Sequence, residues 1–309
     1  MRDTYQSGVI AEASKDALFL TFNQSHEPDA TEVVRKELAG MPALLARFRE
    51  RYPDAGLHLV VGIGSAYWDR LSPEERPALL RGFPALENGE RVAPSTPVDL
   101  LFIIRADQHD AVFELGQEII ESLSDAAELV EEVHGFRYQD MRDLTGFVDG
   151  TENPQGDDRL EVALVGDEDP EFAGGSYLHL QRYEHDLTAW QRLSVKQQED
   201  AYGRTKVDNI EYPGDQKSPH AHTRRTSLKR PDGSSMEILR HSMPYGDSQR
   251  KGLVFISTCR TPEHFGLMLK SMVEGDEDGR ADRILEFTRA VTGASFFLPS
   301  NAWLVQLGD

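Results

Sequence analysis

Cysteine is nearly absent from this chain, which has one, Cys259, in 309 residues. No disulfide can form within the chain, and we expect a reducing, cytoplasmic location. Long apolar runs are also missing: none approaches the ~20 residues of a membrane-spanning helix, and the first six residues, MRDTYQ, contain no apolar signal core. We therefore expect no membrane partner.

Positively charged residues are also few relative to negatively charged ones. Lys and Arg number 33 against 53 Asp and Glu, which gives a formal net charge of −20. Nucleic-acid binding depends on clustered cations that contact phosphates, so this composition argues against a nucleic-acid partner. It also makes any local group of cations notable, and one such group comprises Arg204, Lys206, Arg224, Arg225 and Arg240.

Apolar residues make up 39% of the chain, enough for real cores, and 309 residues exceed what one core usually serves. Strand-like runs followed by helical spacing occur in both halves. DLLFIIRADQHDAVFELGQEI, from Asp99, and GLVFISTCRTPEHFGLMLKSM, from Gly252, place a strand, a polar break and a helix in the same order. The pattern predicts an α+β protein of two similar halves, 1–150 and 151–309, each with an antiparallel sheet and flanking helices.

The runs that predict strands in the first half are 17–22, 57–62, 98–104 and 128–136, with helices over 28–49 and 108–123. In the second half they are 176–183, 236–241, 253–257 and 294–298, with a helix over 262–273. Two long polar stretches, 146–170 and 212–233, are predicted loops. Loops of this length in a compact domain are usually functional or disordered, so both are candidate locations for a functional site.

The first loop contains the string GFVDGTENP, in which two glycines flank Asp149. Glycine permits tight turns and close approach of the backbone to a ligand. A solvated acidic turn is an equally good interpretation of the residue types alone. A calcium or magnesium loop is a third, but the spacing does not match the twelve-residue calcium loop.

The second loop contains His220 and His222, followed by Arg224 and Arg225. No cysteine pair or H-E-x-x-H motif accompanies the histidines, which argues against a structural zinc site, and an exposed loop without function remains open. Further along, Arg240 lies in a strand-like run. It is either on a solvent-facing side of the strand or buried beside an anion.

Taken in order, GFVDGTENP, GRTK at 203–206, the loop histidine before TRR, and ILRHSMPYG resemble the dye-decolourising (Dyp-type) haem peroxidase family. The resemblance is closest to its cytoplasmic bacterial branch and extends over nearly the whole chain. It implies two ferredoxin-like halves, with haem b (iron protoporphyrin IX) bound in the second half. The implied partners are hydrogen peroxide and small organic reductants, and relatives of this kind assemble as homo-oligomers.

In the family a loop histidine binds the haem iron, and His222 matches it because it directly precedes the x-Arg-Arg stretch. His220 is the competing position. The resemblance implies that Asp282 accepts a hydrogen bond from this ligand, that Asp149 is the distal carboxylate and that Arg240 is the distal arginine.

Four further positions are expected to contact the haem: Gly150, Thr151 and Glu152, which follow Asp149, and Arg204 of the GRTK segment. Many relatives have asparagine two residues after the distal arginine, whereas this chain has Ser242. The serine is shorter, so we expect it to act in catalysis only through water.

The resemblance implies a peroxidase that reduces hydrogen peroxide and oxidises dyes or phenolics by one-electron steps. The alternative is a haem-binding or iron-removing (deferrochelating) protein without significant turnover. That alternative function requires His222 and a pocket, but it does not require Asp149 together with Arg240.

Overall fold

The computed structural model describes residues 5–308. Residues 1–4, on which the expectation about a signal peptide partly rests, and Asp309 lie outside that range. Within it, no helix combines the length and the apolar composition that crossing a bilayer requires.

The first half has two long helices and a four-stranded antiparallel sheet, with a small hairpin and a short helix between them. Its elements are β1 (Asp16–Gln24), α1 (Ala30–Arg51), β2 (His58–Gly64), α2 (Trp68–Leu71), β3 (Leu86–Asn88), β4 (Arg91–Ala93), β5 (Leu100–Ala106), α3 (His109–Leu123) and β6 (Ala127–Phe136).

The second half has shorter helices and a second antiparallel sheet. Its elements are α4 (Asp158–Ala163), β7 (Ser176–His185), α5 (Leu187–Gln191), α6 (Val195–Tyr202), α7 (His222–Thr226), β8 (Leu239–Arg240), β9 (Met243–Gly246), β10 (Lys251–Cys259), α8 (Glu263–Val273), β11 (Thr288–Ala290), β12 (Ala294–Leu298) and α9 (Asn301–Gln306).

The two sheets join at both edges. Strand order runs β7-β12-β2-β5-β1-β6-β9-β10, and β10 pairs with β7 again, so the eight strands form a closed ring. The junctions are short: Phe296 and Phe297 of β12 pair with β2, and Gly135 of β6 pairs with Tyr245 of β9. Closure removes the exposed strand edges that would otherwise invite association with other chains.

Alternation along the strands supplies two cores. Leu18, Leu20 and Phe22 of β1 pack with the helices outside the ring, whereas Ala17 and Phe19 point into it. Both faces of the strand are therefore apolar, which explains why its sequence is a continuous hydrophobic run rather than an alternating one. The interior core is shared by both halves and fixes them to one another.

Strand β7 differs from β1 because one of its faces is polar. Leu178 and Leu180 enter the ring core. Gln181, Tyr183 and His185, on the opposite face, line a cavity in the second half. This polar face is the wall on which the candidate site is built.

Most predicted strands and helices occur within a few residues of their expected bounds, and the α+β class with antiparallel sheets is confirmed. The strand predicted over 236–241 is wrong in extent, because only Leu239 and Arg240 pair with β10. The two predicted loops also contain short helices, α4 in the first and α7 in the second.

Candidate functional site

A cavity of about 310 Å³ opens in the second half, within the ~300–1,000 Å³ typical of cofactor and small-molecule sites. It lies among the GFVDGTENP loop, β7, α7 and α8. Seven of the nine residues predicted as site residues line it, and they come from four separate stretches of chain: Asp149, Gly150, Thr151, Glu152, Arg204, His222 and Arg240.

His222, the first residue of α7, lies in the cavity wall and is held by Asp282. Its Nδ1 is 2.7 Å from Asp282 Oδ2, and the other oxygen, Oδ1, accepts from the backbone N–H of Ile284 at 3.0 Å. The Asp282 carboxylate is fully buried. Because a carboxylate only accepts hydrogen bonds, Nδ1 carries the ring proton, and Nε2 has a free lone pair.

His220, the competing histidine, does not line this cavity. Its side chain is exposed, and its Nδ1 hydrogen-bonds to the carbonyl of Ala281 at 2.9 Å. Of the two histidines, His222 therefore has the geometry of a metal ligand. Within residues 5–308 no three His, Cys, Asp or Glu side chains are grouped as they would be around an ion.

Asp149 and Arg240 are neighbours in the cavity wall. Asp149 Oδ1 accepts from the backbone N–H of Gly150 at 2.7 Å and lies 3.8 Å from Arg240 Nη1. Gly150 has a φ of +75°, which favours glycine and turns the loop so that its own N–H reaches the carboxylate. Asp149 Oδ2 has no hydrogen bond to any part of the chain that the structure describes.

Asn153, four residues after Asp149, fixes Arg240, and the sequence reasoning missed it. Its Oδ1 accepts from the backbone N–H of Arg240 at 3.0 Å and from the guanidinium Nε at 3.5 Å, and its Nδ2 donates to the Arg240 carbonyl at 2.8 Å. The side-chain amide thus replaces the strand partner that β8 lacks on this side. The only available signal was that Asn153 belongs to the same motif as Asp149.

Ser242 does not line this cavity but the neighbouring one, of about 370 Å³, to which Asp149 and Arg240 also contribute. Its Oγ accepts a long hydrogen bond, 3.4 Å, from the backbone N–H of Ile256. Ser242 lies between β8 and β9, where the chain is not part of a strand.

Three buried polar atoms in the cavity wall have no hydrogen-bond partner among the described residues: Arg204 Nε, Gln181 Nε2 and Thr223 Oγ1. Arg204 is only 6% exposed and its Nη2 makes two long contacts, to Glu152 Oε1 at 3.4 Å and the Asn209 carbonyl at 3.2 Å. Unpaired donors of this kind are costly unless a ligand satisfies them. The remaining wall is largely apolar, including Phe147, Phe255 and Leu269. This combination fits a large apolar cofactor that carries acidic groups.

The backbone beside His222 is tightly packed. Gly203, which ends α6 with a φ of +83°, would place a Cβ only 2.4 Å from Thr223 Oγ1. Glycine is therefore required both by the left-handed turn and by the close approach of α7. This contact sets the position of the segment that carries Arg204 relative to His222.

A buried polar network beneath the site was also missed. Tyr202 Oη is 2.8 Å from Thr145 Oγ1, which donates to Asp143 Oδ2 at 2.6 Å, and Asp143 Oδ1 is 3.0 Å from His185 Nε2. Burial alone would raise the pKa of Asp143, but the hydrogen bonds from His185 and Thr145 lower it, so the group is a carboxylate. Burial raises the pKa of Tyr202 well above its ordinary value, with Asp143 adding to the effect.

Only part of the predicted cationic group faces the cavity. Arg204 and Arg240 do. Arg225 instead pairs with Asp276 at 3.2 Å, Arg224 is exposed, and Lys206 donates to Gln198 Oε1 at 2.6 Å. The other three cations are therefore engaged elsewhere, and two of the five remain to meet an acidic ligand in the cavity.

Two protein-family models match the chain. Residues 6–137 match "Dyp-type peroxidase, N-terminal" and residues 140–303 match "Dyp-type peroxidase, C-terminal". Among curated proteins, a dye-decolorizing peroxidase of Mycolicibacterium paratuberculosis is 44% identical over 298 residues, which cover 96% of this chain and 84% of that protein. One from Mycobacterium tuberculosis is 42% identical over 298 residues, with 96% and 88% covered.

Comparison with solved structures also finds Dyp-type peroxidases. A putative Dyp-type peroxidase from Shewanella oneidensis superposes with a TM-score of 0.95 at 49% identity and covers 98% of both chains. A variant of DypB from Rhodococcus jostii RHA1, solved in complex with heme, superposes with a TM-score of 0.95 at 42% identity, again covering 98% of both. The predicted fold, with ferredoxin-like halves, agrees with these structures.

Proposed function

The chain belongs to the Dyp-type peroxidase family, and from this membership we propose that it is a haem-dependent peroxidase with haem b as its cofactor. It reduces hydrogen peroxide and oxidises small organic donors, such as dyes or phenolics, one electron at a time. One observation carries the proposal: a single cavity brings His222, backed by Asp282, together with Asp149 and Arg240.

The residues present fit haem. His222 Nε2 is the free imidazole nitrogen that an iron ligand needs, and the buried Asp282 carboxylate fixes the orientation of the ring. Arg204 has an unpartnered buried N–H that suits an acidic substituent, and Gly150, Thr151 and Glu152 line the same wall. When bound, haem supplies the iron that binds peroxide and stores the two oxidising equivalents that the donors later reduce.

Asp149 then transfers a proton, and Arg240 stabilises the charge that develops in the reaction. Asp149 accepts a proton from the bound peroxide at its free oxygen and delivers it to the far oxygen, which leaves as water. Arg240 is the fixed cation beside that oxygen, and it stabilises the negative charge that develops as the O–O bond breaks. Two electrons from organic donors and two further protons complete the reduction of peroxide to two waters.

We assign Ser242 a lesser role. Its hydroxyl belongs to the neighbouring cavity, so it acts on Asp149 and Arg240 only through water. Asn153 is a positioning residue, because its contacts are with Arg240 rather than with the reacting atoms.

The test is to purify the protein with haem supplied, record its visible spectrum and measure peroxide-dependent oxidation of a dye. We expect a Soret band and turnover, and the absence of both would contradict the proposal. The iron-removing alternative is tested in the same samples, because it predicts free iron and intact metal-free porphyrin with little dye oxidation. The pairing of Asp149 with Arg240 favours the peroxidase.

We further propose a division into 1–150 and 151–309, supported by family models that meet near residue 140. A cytoplasmic location is supported by the single cysteine, which is buried. Burial raises the pKa of its thiol to about 11.

A homo-oligomer is supported by the exposed apolar side chains of Val195, Val207 and Ile210. Light scattering on a size-exclusion column tests the last point, and a monomer across micromolar concentrations would contradict it.

A further inference from the structure

The second cavity, of about 370 Å³, contains two buried arginines from different halves of the protein. Arg105, on β5, is 4% exposed, and Arg159, on α4, is 5% exposed. Asp149 and Arg240 form the wall that this cavity shares with the first. The proposed function does not require either buried guanidinium.

The hydrogen bonds of Arg105 all go to neutral groups. Its Nη1 donates to His241 Nδ1 at 2.7 Å and its Nη2 donates to the Glu12 carbonyl at 2.7 Å, while Nε is buried without a partner. Since His241 Nδ1 accepts, its Nε2 donates to the Val9 carbonyl, 2.7 Å away. Burial, and then Arg105, lower the pKa of His241 well below its ordinary value, so this ring is neutral.

Arg159 has one acidic contact, which lies in solvent. Its Nε and Nη2 donate to the carbonyls of Ile10 and Ala11 at 3.0 and 2.6 Å, and its Nη1 lies 3.2 Å from Glu12 Oε2. The Glu12 side chain is 76% exposed. Burial, and then the charge of Arg159, lower the pKa of Arg105 to about 10. Two neighbouring buried cations therefore share one screened carboxylate, which is unfavourable unless an anion joins them.

The positive excess of the lining equals the charge of these two arginines, because the other three arginines are balanced by three acids. Five arginines and three acids line the cavity, in a protein whose net charge is −20. One of the acids, Asp140, is already bound by Arg142 at 2.7 Å. The cavity also has apolar walls, among them half-buried Phe136 and buried Met243. The second cavity therefore suits a ligand that has both an acidic group and an apolar body.

We propose that the second cavity binds an aromatic carboxylate, with its acid group between Arg105 and Arg159 and its ring against the apolar wall. The site is placed beside Asp149 and Arg240, so a carboxylated phenol bound there is an electron donor for the reaction. That last step rests on the proposed function, whereas the binding itself does not.

The experiment is calorimetric titration of the haem-loaded protein at constant ionic strength with benzoate, with its neutral analogue benzamide and with acetate. We expect benzoate to bind at least about tenfold more tightly than either of the others, because only benzoate combines charge with a ring. Equal binding of benzamide would overturn the role of the arginines. Equal binding of acetate would overturn the aromatic specificity, and no binding of benzoate at millimolar concentration would overturn the proposal.

Arg105→Gln should weaken benzoate binding at least about tenfold. The matched control is Arg137→Gln, which removes the same charge from an exposed arginine of the same cavity and should change binding less than about threefold. If Arg105→Gln fails to fold, crystals of the wild-type protein with 4-iodobenzoate decide the question. Anomalous iodine density in the second cavity, with the carboxylate on both guanidiniums, supports the site, and density only elsewhere overturns it. Peroxidase activity enters none of these readouts.

Discussion

Replacing Asn153 with alanine removes every hydrogen bond by which the GFVDGTENP loop holds Arg240 and leaves the 3.8 Å contact between Asp149 and Arg240. Three hydrogen bonds are lost, at 2.8, 3.0 and 3.5 Å, and the backbone N–H and C=O of Arg240 both lose their partner. Asp149 and its bond to the Gly150 N–H are untouched. The variant therefore tests whether the position of Arg240, rather than its presence, matters for the reaction with peroxide.

The magnitude follows from those contacts. A net contribution of about 1 kcal/mol for each of the two backbone hydrogen bonds predicts that the free energy of unfolding falls by about 2 kcal/mol. Complete removal of a charge-stabilising donor costs roughly 10²–10³ in rate, and a displaced but present guanidinium costs less. We expect the peroxide step to slow by about tenfold, equivalent to about 1.4 kcal/mol.

The assay is stopped-flow absorbance of the haem-loaded variant mixed with peroxide, together with chemical denaturation to measure stability. The control is Gln155→Ala, which removes an exposed hydrogen bond within the same loop, from Gln155 to the Asn153 carbonyl at 3.0 Å, without touching Arg240. The control should stay within about twofold of wild type. A peroxide rate for Asn153→Ala within the same twofold would refute the reasoning, whatever happens to stability.

Three further predictions concern histidines and their partners. His222→Ala should lose the axial imidazole, seen as a changed visible and EPR spectrum, whereas His220→Ala should keep it; the reverse result would move the ligand to His220. Asp282→Asn should weaken haem retention by about 10- to 100-fold, measured by transfer to apomyoglobin, because the anionic partner of Nδ1 is lost; unchanged transfer kinetics would argue against the pair. Burial lowers the pKa of His179 to about 3, so below about pH 6.5 the unfolded state binds one more proton there than the native state. Its contribution to stability is complete above pH 6.5 and falls by about 1.4 kcal/mol per pH unit towards pH 3; His179→Gln should flatten the measured slope by one proton, and an unchanged slope would contradict this.

Local sequence patterns predicted the helices and strands that are stabilised by burial of their own apolar side chains. The apolar run of β1 and the helical spacing of α3 appear at their expected places because each buries its own side chains. The predicted strand over 236–241 was wrong because apolar content alone cannot reveal where pairing with β10 stops. Closure of the strands into a ring depends on brief contacts between distant strands, which leave no local signal.

The candidate site shows the same limit. The family motifs indicated Asp149, His222 and Arg240, and the structure brings them to one cavity. The amide of Asn153 reaches Arg240 across 87 positions of sequence, and Arg105 reaches His241 across 136. The contact of Arg105 arises only when both halves are assembled, and that of Asn153 only when the second half has folded. No spacing rule within one element encodes either contact.

In the proposed function, Asp149 and Arg240 act on peroxide while His222 holds the cofactor. The most direct test compares the second-order rate constant for peroxide in haem-loaded wild type, Asp149→Asn and Arg240→Leu, with haem content and Soret spectrum measured in each sample. We expect full haem binding in all three proteins and a peroxide rate at least about tenfold lower in both variants. Rates equal to wild type in both variants at equal haem content would contradict it.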